Sequence, residues 1–212
     1  MPDLDVEVLP VERVGYSPEH GAWPETRSLP FAEAIERWVA TGEALADRGV
    51  GRLLLLNAHG GNAPLLTIVA TELRVRRAML CVATAWTRHS DPAALVGAEE
   101  KRLGIHAGLI ETSVMLALRP DLVRMDRAGT WSSLQGRHER DHAFLRAYGP
   151  HAHGWLMGDL NPSGAVGDAA AATAGEGEAL IAGAVAGLAT LAREVALWEP
   201  PWFRTVTGAT RP

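Results

Sequence analysis

Hydrophobic and polar positions change their spacing several times along the chain, and each change predicts an element. V-E-V-L-P-V, Val6 to Val11, reads as a strand with Pro10 near its end. Phe31, Ile35, Trp38, Val39 and Leu45 fall at helical spacing up to Gly49. R-L-L-L-L-N-A, from Arg52, is an apolar run of strand length, the pattern of a strand buried on both faces. Asn62 to Arg77 predicts a helix with Leu65, Leu66, Val69 and Leu73 on one side, and A-M-L-C-V-A-T-A-W to Trp86 predicts the next buried strand. This alternation predicts an α/β fold, a parallel or mixed sheet with helices on both faces. Ile110 to Leu118 reads as a short helix stopped by Pro120. Gly129 to Gly167, rich in Gly, Pro, His and Trp, reads as long loops. Ala169 to Leu197 reads as a long helix whose Ala and Gly residues permit close helix contacts, and W-E-P-P-W-F-R-T-V-T-G-A-T-R-P as a surface tail. With no linker and no repeat, residues 1–212 are expected to form a single domain.

Composition narrows the classes. The chain has 212 residues, 47% hydrophobic and 21% charged, which suits a globular domain with a sizeable core. A net charge of −5 gives no electrostatic reason to expect nucleic acid or an anionic membrane as partner. Cys81 is the sole cysteine, so no intrachain disulfide or Cys-rich metal site is available, and its apolar surroundings predict a buried thiol. No run of 18 apolar residues is present, so no segment is expected to span a bilayer. The start, M-P-D-L-D-V-E-V-L-P, is too acidic for a signal peptide, so the cytoplasm is the expected compartment.

The chemistry lies at a few points. N-A-H-G-G-N puts His59 where a buried strand gives way to a helix. Ligands gather beyond the carboxyl ends of strands in open α/β sheets. Gly60 and Gly61 allow tight or left-handed backbone there, and Asn62 is placed to cap the helix. His59 is a candidate metal ligand, or else a hydrogen-bonded His in a turn. In H-A-G-L-I-E-T-S, His106 and Glu111 would point about 140° apart on one continuous helix. They converge only if His106 sits in the loop ahead of it, with Glu111 in the first turn. H-E-R-D-H, His138 to His142, fits the zinc-protease spacing, but Arg140 and Asp141 oppose a buried helix, so it is expected to be a solvated segment. His151 and His153 could chelate as His-x-His, yet are expected to face solvent on a loop. G-D-L-N-P-S-G-A-V-G-D, Gly158 to Asp168, reads as turns or as a functional loop folding over a site. Lys101 is the single lysine, which leaves little room for Lys-based covalent chemistry, and neither a G-x-S-x-G elbow nor a phosphate-binding Gly loop is present.

Together N-A-H-G-G-N, H-A-G-L-I-E-T-S-V-M-L-A-L-R-P-D-L-V, D-L-N-P-S-G-A-V-G-D-A-A-A-A-T-A-G-E-G-E-A-L-I and the earlier G-Y-S-P-E-H-G-A-W-P-E-T-R-S-L closely resemble the creatininase (creatinine amidohydrolase) family over Val8 to Leu180. Trp23 and Glu25 stand where that family has Phe and Gly. The resemblance implies a three-layer α/β/α sandwich with a mostly parallel sheet, two divalent metal ions (Zn, Mn or Fe), hydrolysis of an amide in a small or cyclic substrate, and a homo-oligomer, a hexamer. It also includes a formamide-hydrolysing branch and peptidases that trim a cofactor-precursor peptide. His59 matches a metal ligand, Glu111 a ligand or neighbouring carboxylate, and His106 the proton-transfer residue. Asp159 and Ser163 become candidates for orienting substrate, Trp86 and Trp155 for a pocket wall. Gly61 stands where creatininase itself carries Glu, which speaks against creatinine as substrate. The family's front motif, which supplies a Glu, a His and a bridging Asp, has no match here, and Glu19-His20 corresponds to a later segment. The expectation is therefore an incomplete donor set relative to the family, with a non-catalytic binding or assembly subunit as the alternative to an amidohydrolase. No nucleic acid or membrane partner is implied.

Overall fold

The computed structural model describes residues 4–89 and 91–205. Contacts divide the chain into two compact units, Met1–Ser17 with Arg27–Arg88 and Gly187–Pro212, and Pro18–Thr26 with His89–Ala186.

The first unit contains α1 (Phe31–Asp47), β1 (Arg52–Asn57), α2 (Ala63–Arg77) and β2 (Leu80–Ala85). Pro30 opens α1 with a preset φ of −58° and no N–H to leave unpaired. The helix buries Ala34, Trp38, Val39, Gly42 and Leu45. A Cβ at Gly42 would run into the Leu73 side chain of α2, so the absence of a side chain there lets the two helices approach closely. α2 buries Leu65, Leu66, Val69 and Leu73, as its spacing predicts, and ends at left-handed Ala78, whose N–H returns to the Arg74 carbonyl. β1 and β2 pair in parallel, Arg52 opposite Leu80 through Asn57 opposite Ala85.

Leu53, Leu55, Cys81 and Ala83 pack against the helical core, whereas Leu56 is 49% exposed. The leucine run is thus not sealed on both faces as its composition suggests. Val6 to Val11 forms no strand either, and Val8 and Val11 are exposed. Strand-like residues without a partner ladder stay extended and solvated. The end of the chain is more than a surface tail: Arg52 donates from Nε to the Val195 carbonyl (3.0 Å) and from Nη2 to the Trp198 carbonyl (2.9 Å) and Glu199 Oε1 (2.7 Å). Trp202 Nε1 donates to the Ala78 carbonyl (3.1 Å), and Pro200 is fully buried. Residues 206–212 of that predicted tail lie outside the described residues.

The second unit holds α3 (Pro92–Val96), α4 (Ala98–Leu103), α5 (Leu109–Leu118), β3 (Thr130–Trp131), α6 (Leu134–Asp141), α7 (Met157–Leu160), β4 (Gly167–Asp168) and the start of α8 (Ala174–Leu197). β3 and β4 pair antiparallel. The region expected to be loops therefore contains two short helices. Ser133 caps α6 by accepting from Gln135 N (3.2 Å). Buried Gln135 then accepts from Ala147 N (2.8 Å), drawing the following loop onto the helix. A small core of Ala147, Met157, Leu160 and Val166 gathers Trp23, Leu134, Tyr148 and Trp155 around it.

α8 begins at Ala174 rather than Ala169, because Thr173 caps it: Glu176 N donates to Thr173 Oγ1 (3.2 Å), which donates to Glu176 Oε2 (2.9 Å). Gly177 lies so close to the Ser113 carbonyl of α5 that a Cβ would overlap it, and fully buried Ser113 Oγ accepts from Thr173 N (3.1 Å). α8 is also the one described helix long and apolar enough to cross a membrane, with a window hydropathy of 1.6. Its scattered Gly and Glu leave no uninterrupted apolar run, and the property is one of length and composition only.

Candidate functional site

β1 ends on Asn57, which is 6% exposed and uses both ends of its amide. Nδ2 donates to the His59 carbonyl (2.7 Å), and Oδ1 accepts from His59 N (3.1 Å) and Asn62 Nδ2 (3.2 Å). Asn62 Oδ1 accepts in turn from Tyr16 N (2.9 Å). Asn62 makes no helix-capping bond; it ties the 15–17 segment to the strand-end loop. Gly60 and Gly61 have no left-handed backbone and form a 3-10 turn with Asn62, so the expected hinge is a right-handed turn after an extended His59. What makes the loop rigid is the asparagine pair. A cleft of roughly 230 Å³ opens at the carboxyl ends of β1 and β2, lined in part by Asn57, Thr84 and Arg88. Trp86 follows β2 in the short turn Trp86–Arg88.

In the second unit His106 and Glu111 converge. His106 sits ahead of α5, its carbonyl accepting from Val166 N (2.9 Å), and Ala107 after it takes a left-handed φ of +52°. Glu111 lies in the first turn of α5 and accepts from Ala107 N at Oε2 (2.8 Å). The same oxygen is 3.6 Å from His106 Nδ1. The His20 ring lies on His106, centroids 4.3 Å apart, with Glu19 Oε1 3.7 Å from His20 Nε2 and the Trp23 ring 6.1 Å away. The sequence motif set His20 aside as part of another segment. Its signal was present in E-H followed by Trp23, but only folding shows which histidine it meets.

A second missed residue is Glu100 of α4. Its Oε1 accepts from Leu109 N (2.8 Å) and its Oε2 from Asp168 N (3.0 Å), joining the start of α5 to β4 on either side of the His106 loop. The carboxylate is seated against Gly104, Gly108 and Gly167, where any Cβ would collide with it. Gly167 also has φ +105°, a conformation side chains rarely adopt. The three glycines bracketing the His106 and Asp168 motifs were the available signal, but nothing in A-E-E-K-R-L marks Glu100 over Glu99.

The other candidates serve locally. Asp159 Oδ2 accepts from Leu156 N (2.8 Å), capping the start of α7, and Ser163 Oγ bonds with the backbone of Ala165. Trp155 packs edge-on to Tyr148, centroids 6.3 Å apart. H-E-R-D-H forms the C-terminal half of α6 and its C-cap, with Glu139 engaged by Arg102 and Gln135. Burial, then His142, His153 and the arginines Arg137 and Arg146, hold His138 below the ordinary imidazole value. Among the described residues no group of three or more His, Cys, Asp or Glu side chains is arranged to hold a metal ion.

The chain resembles known proteins over most of its length. The family model described as Creatininase: Creatinine amidohydrolase matches residues 2–192. A mycofactocin precursor peptide peptidase from Mycolicibacterium smegmatis is 29% identical over 198 residues, 93% of this chain and 70% of the relative. A creatinine amidohydrolase from Pseudomonas putida is 32% identical over 136 residues, 57% of this chain and 52% of the relative. The crystal structure of a creatinine amidohydrolase (creatininase) superposes with TM-score 0.65 at 25% identity, covering 88% of this chain and 74% of that one. Similar creatininase structures include a Zn–Zn type mutant and a Mn form, each covering 85% of this chain and 72% of its own at TM-score 0.64 and 25% identity.

Proposed function

Because the chain belongs to the creatininase family, we propose that it hydrolyses an amide C–N bond in a small or cyclic substrate, with zinc or manganese as its cofactor. The family's members are hydrolases; the observation that carries the finer reading is the grouping of His20, His106 and Glu111.

Amide hydrolysis needs a group that takes a proton from water as its oxygen bonds to the carbonyl carbon. The same group returns a proton to nitrogen as the C–N bond breaks, leaving a carboxylate and an amine. Neutral His106 suits both steps. The imidazolium formed between them would face the Glu111 carboxylate, which the Ala107 N–H already fixes in place. Side chains 36% and 43% exposed keep that attraction modest through solvent screening. The His20 ring limits how far His106 can tilt.

Imidazole and carboxylate are suitable donors for zinc or manganese, and His59 and Glu111 are each proposed as one. Among the described residues no group of three or more such donors is arranged to hold an ion, fewer than a closed pair of cations about 3.5–4 Å apart needs. A divalent cation, when bound, supplies charge that polarises the amide carbonyl.

The test uses the full chain with creatinine, formamide and short unblocked peptides, with Zn²⁺, Mn²⁺ or a chelator. Amine release that depends on metal and falls about a hundredfold in His106→Gln supports the proposal. Release indifferent to His106→Gln, or none from any substrate, overturns it in favour of a binding or assembly subunit. A second reading, a peptidase acting on a precursor peptide, is favoured by coverage, since the peptidase relative spans 93% of this chain and the amidohydrolase 57%. Turnover of peptides without turnover of creatinine or formamide selects it.

A further inference from the structure

Three histidines unrelated to the His106 loop meet elsewhere in the second unit. His138 and His142 lie one helical turn apart at the end of α6, and His153 returns to them from the loop before α7. His138 Nε2 and His153 Nε2 are 3.1 Å apart, with the rings at 89°. The His142 ring centroid is 5.3 Å from that of His138.

The partners fix a tautomer. His153 Nδ1 lies 2.9 Å from the Gly154 carbonyl oxygen. A carbonyl can only accept, so Nδ1 carries the hydrogen and Nε2 of the neutral ring has a bare lone pair facing His138. Metal-ligating histidines are commonly prepared in this way, with the second ring nitrogen donating to a backbone carbonyl. The loop that presents His153 is also held. Arg146 N donates to the His151 carbonyl (3.3 Å), and His153 N donates to the Arg146 carbonyl (3.1 Å). The Arg146 guanidinium donates to the carbonyls of His142, Ala143 and Leu145 just beyond α6.

We infer that His138 Nε2 and His153 Nε2 form a two-imidazole chelate for a borderline divalent cation such as Zn²⁺, Ni²⁺ or Cu²⁺, bound in place of the proton they share. Metal–nitrogen bonds of about 2.0–2.1 Å make two nitrogens 3.1 Å apart subtend about 100° at the cation, between the cis-octahedral and tetrahedral angles. Ring rotation suffices to aim both lone pairs, and His138 changes tautomer, its proton moving by way of solvent from Nε2 to Nδ1 so that both ligands stay neutral. Water fills the remaining positions, consistent with the lack of any three-donor group. Glu139 is occupied by Arg102 and Gln135 and does not join. Arg137 and Arg146 oppose the added charge, but Arg137 is partly neutralised by Asp141 at 3.4 Å. The bound ion would clip the end of α6 to the 146–153 loop.

The test titrates Zn²⁺ and Ni²⁺ calorimetrically into the full chain carrying His59→Ala and Glu111→Gln, which removes the donors proposed for the hydrolytic metal. One equivalent should bind, weaken about tenfold or more in His138→Ala or His153→Ala, and change little in His142→Ala. Zn²⁺ should also raise the melting temperature of the parent and not of His153→Ala, whose fold is checked by circular dichroism. No binding to the parent overturns the inference. Binding lost in His142→Ala but kept in His153→Ala also overturns it, in favour of the helical His138/His142 pair.

Discussion

Replacing Glu100 with Ala removes one carboxylate that accepts from two backbone N–H groups, those of Leu109 at 2.8 Å and Asp168 at 3.0 Å. Hydrogen bonds to a charged group contribute about 1.5–3 kcal/mol each, so full loss of both is worth about 3–6 kcal/mol. Glu100 is half-buried, and water can enter the space it vacates, which favours the lower end, about 3 kcal/mol. That is a large share of a total stability of about 5–15 kcal/mol. At roughly 2–4 °C per kcal/mol for a chain of this length, the melting temperature should fall by about 6–12 °C. Glu100→Gln should be intermediate or nearly as damaging. Its amide keeps one accepting oxygen but turns an NH₂ group toward the second backbone N–H, donor against donor. Urea denaturation of the three proteins, at equal protein concentration, measures the differences. A Glu100→Ala protein within about 0.5 kcal/mol of the parent, the range of ordinary surface changes, would refute the claim that this carboxylate holds the His106 loop between α5 and β4.

Gly177→Ala should cost more than about 2 kcal/mol by chemical denaturation, because its Cβ would meet the backbone carbonyl of Ser113, which no rotamer change can move aside; a neutral result would mean that α5 and α8 separate readily. Cys81 should resist thiol reagents in the folded protein, since burial pushes its pKa up to about 12. The folded state therefore holds that proton more tightly than the unfolded chain, whose thiol titrates near about 8.5. The stability this contributes is intact below about pH 8.5 and is lost as pH rises toward 12, and Cys81→Ala should flatten that part of the pH–stability curve.

The legible parts of the sequence were those governed by local pattern. Leu65, Leu66, Val69 and Leu73 announced the buried stripe of α2, and the apolar runs ending at Asn57 and Ala85 announced two parallel strands. Helix angles gave only the condition under which His106 could meet Glu111, a loop position ahead of α5, and that is where His106 lies. What stayed hidden depends on distant partners. Val6 to Val11 carries strand residues, yet a strand exists only where a ladder is available. α6 was missed because it has no apolar stripe; it rests on a Ser133 cap and on Gln135 reaching Ala147. Glu100 binds residues 9 and 68 positions away, and His20 finds His106 86 positions on, separations that no periodicity encodes.

The parallel pairing of β1 and β2 has a consequence in time as well as space. The Leu80 N–H donates to the Gly51 carbonyl, so the register directs the amides of Leu80, Val82 and Thr84 inward to β1, and those of Leu53, Leu55 and Asn57 inward to β2. The amides of Arg52, Leu54 and Leu56, and of Cys81, Ala83 and Ala85, point the opposite way, where among the described residues no third strand pairs with them. Hydrogen–deuterium exchange along this sheet should therefore alternate slow and fast, residue by residue, in two interleaved sets. Each fast set belongs to one edge. A strand added at either edge, from any source, would slow that set alone, so the exchange record would name the edge that had been taken.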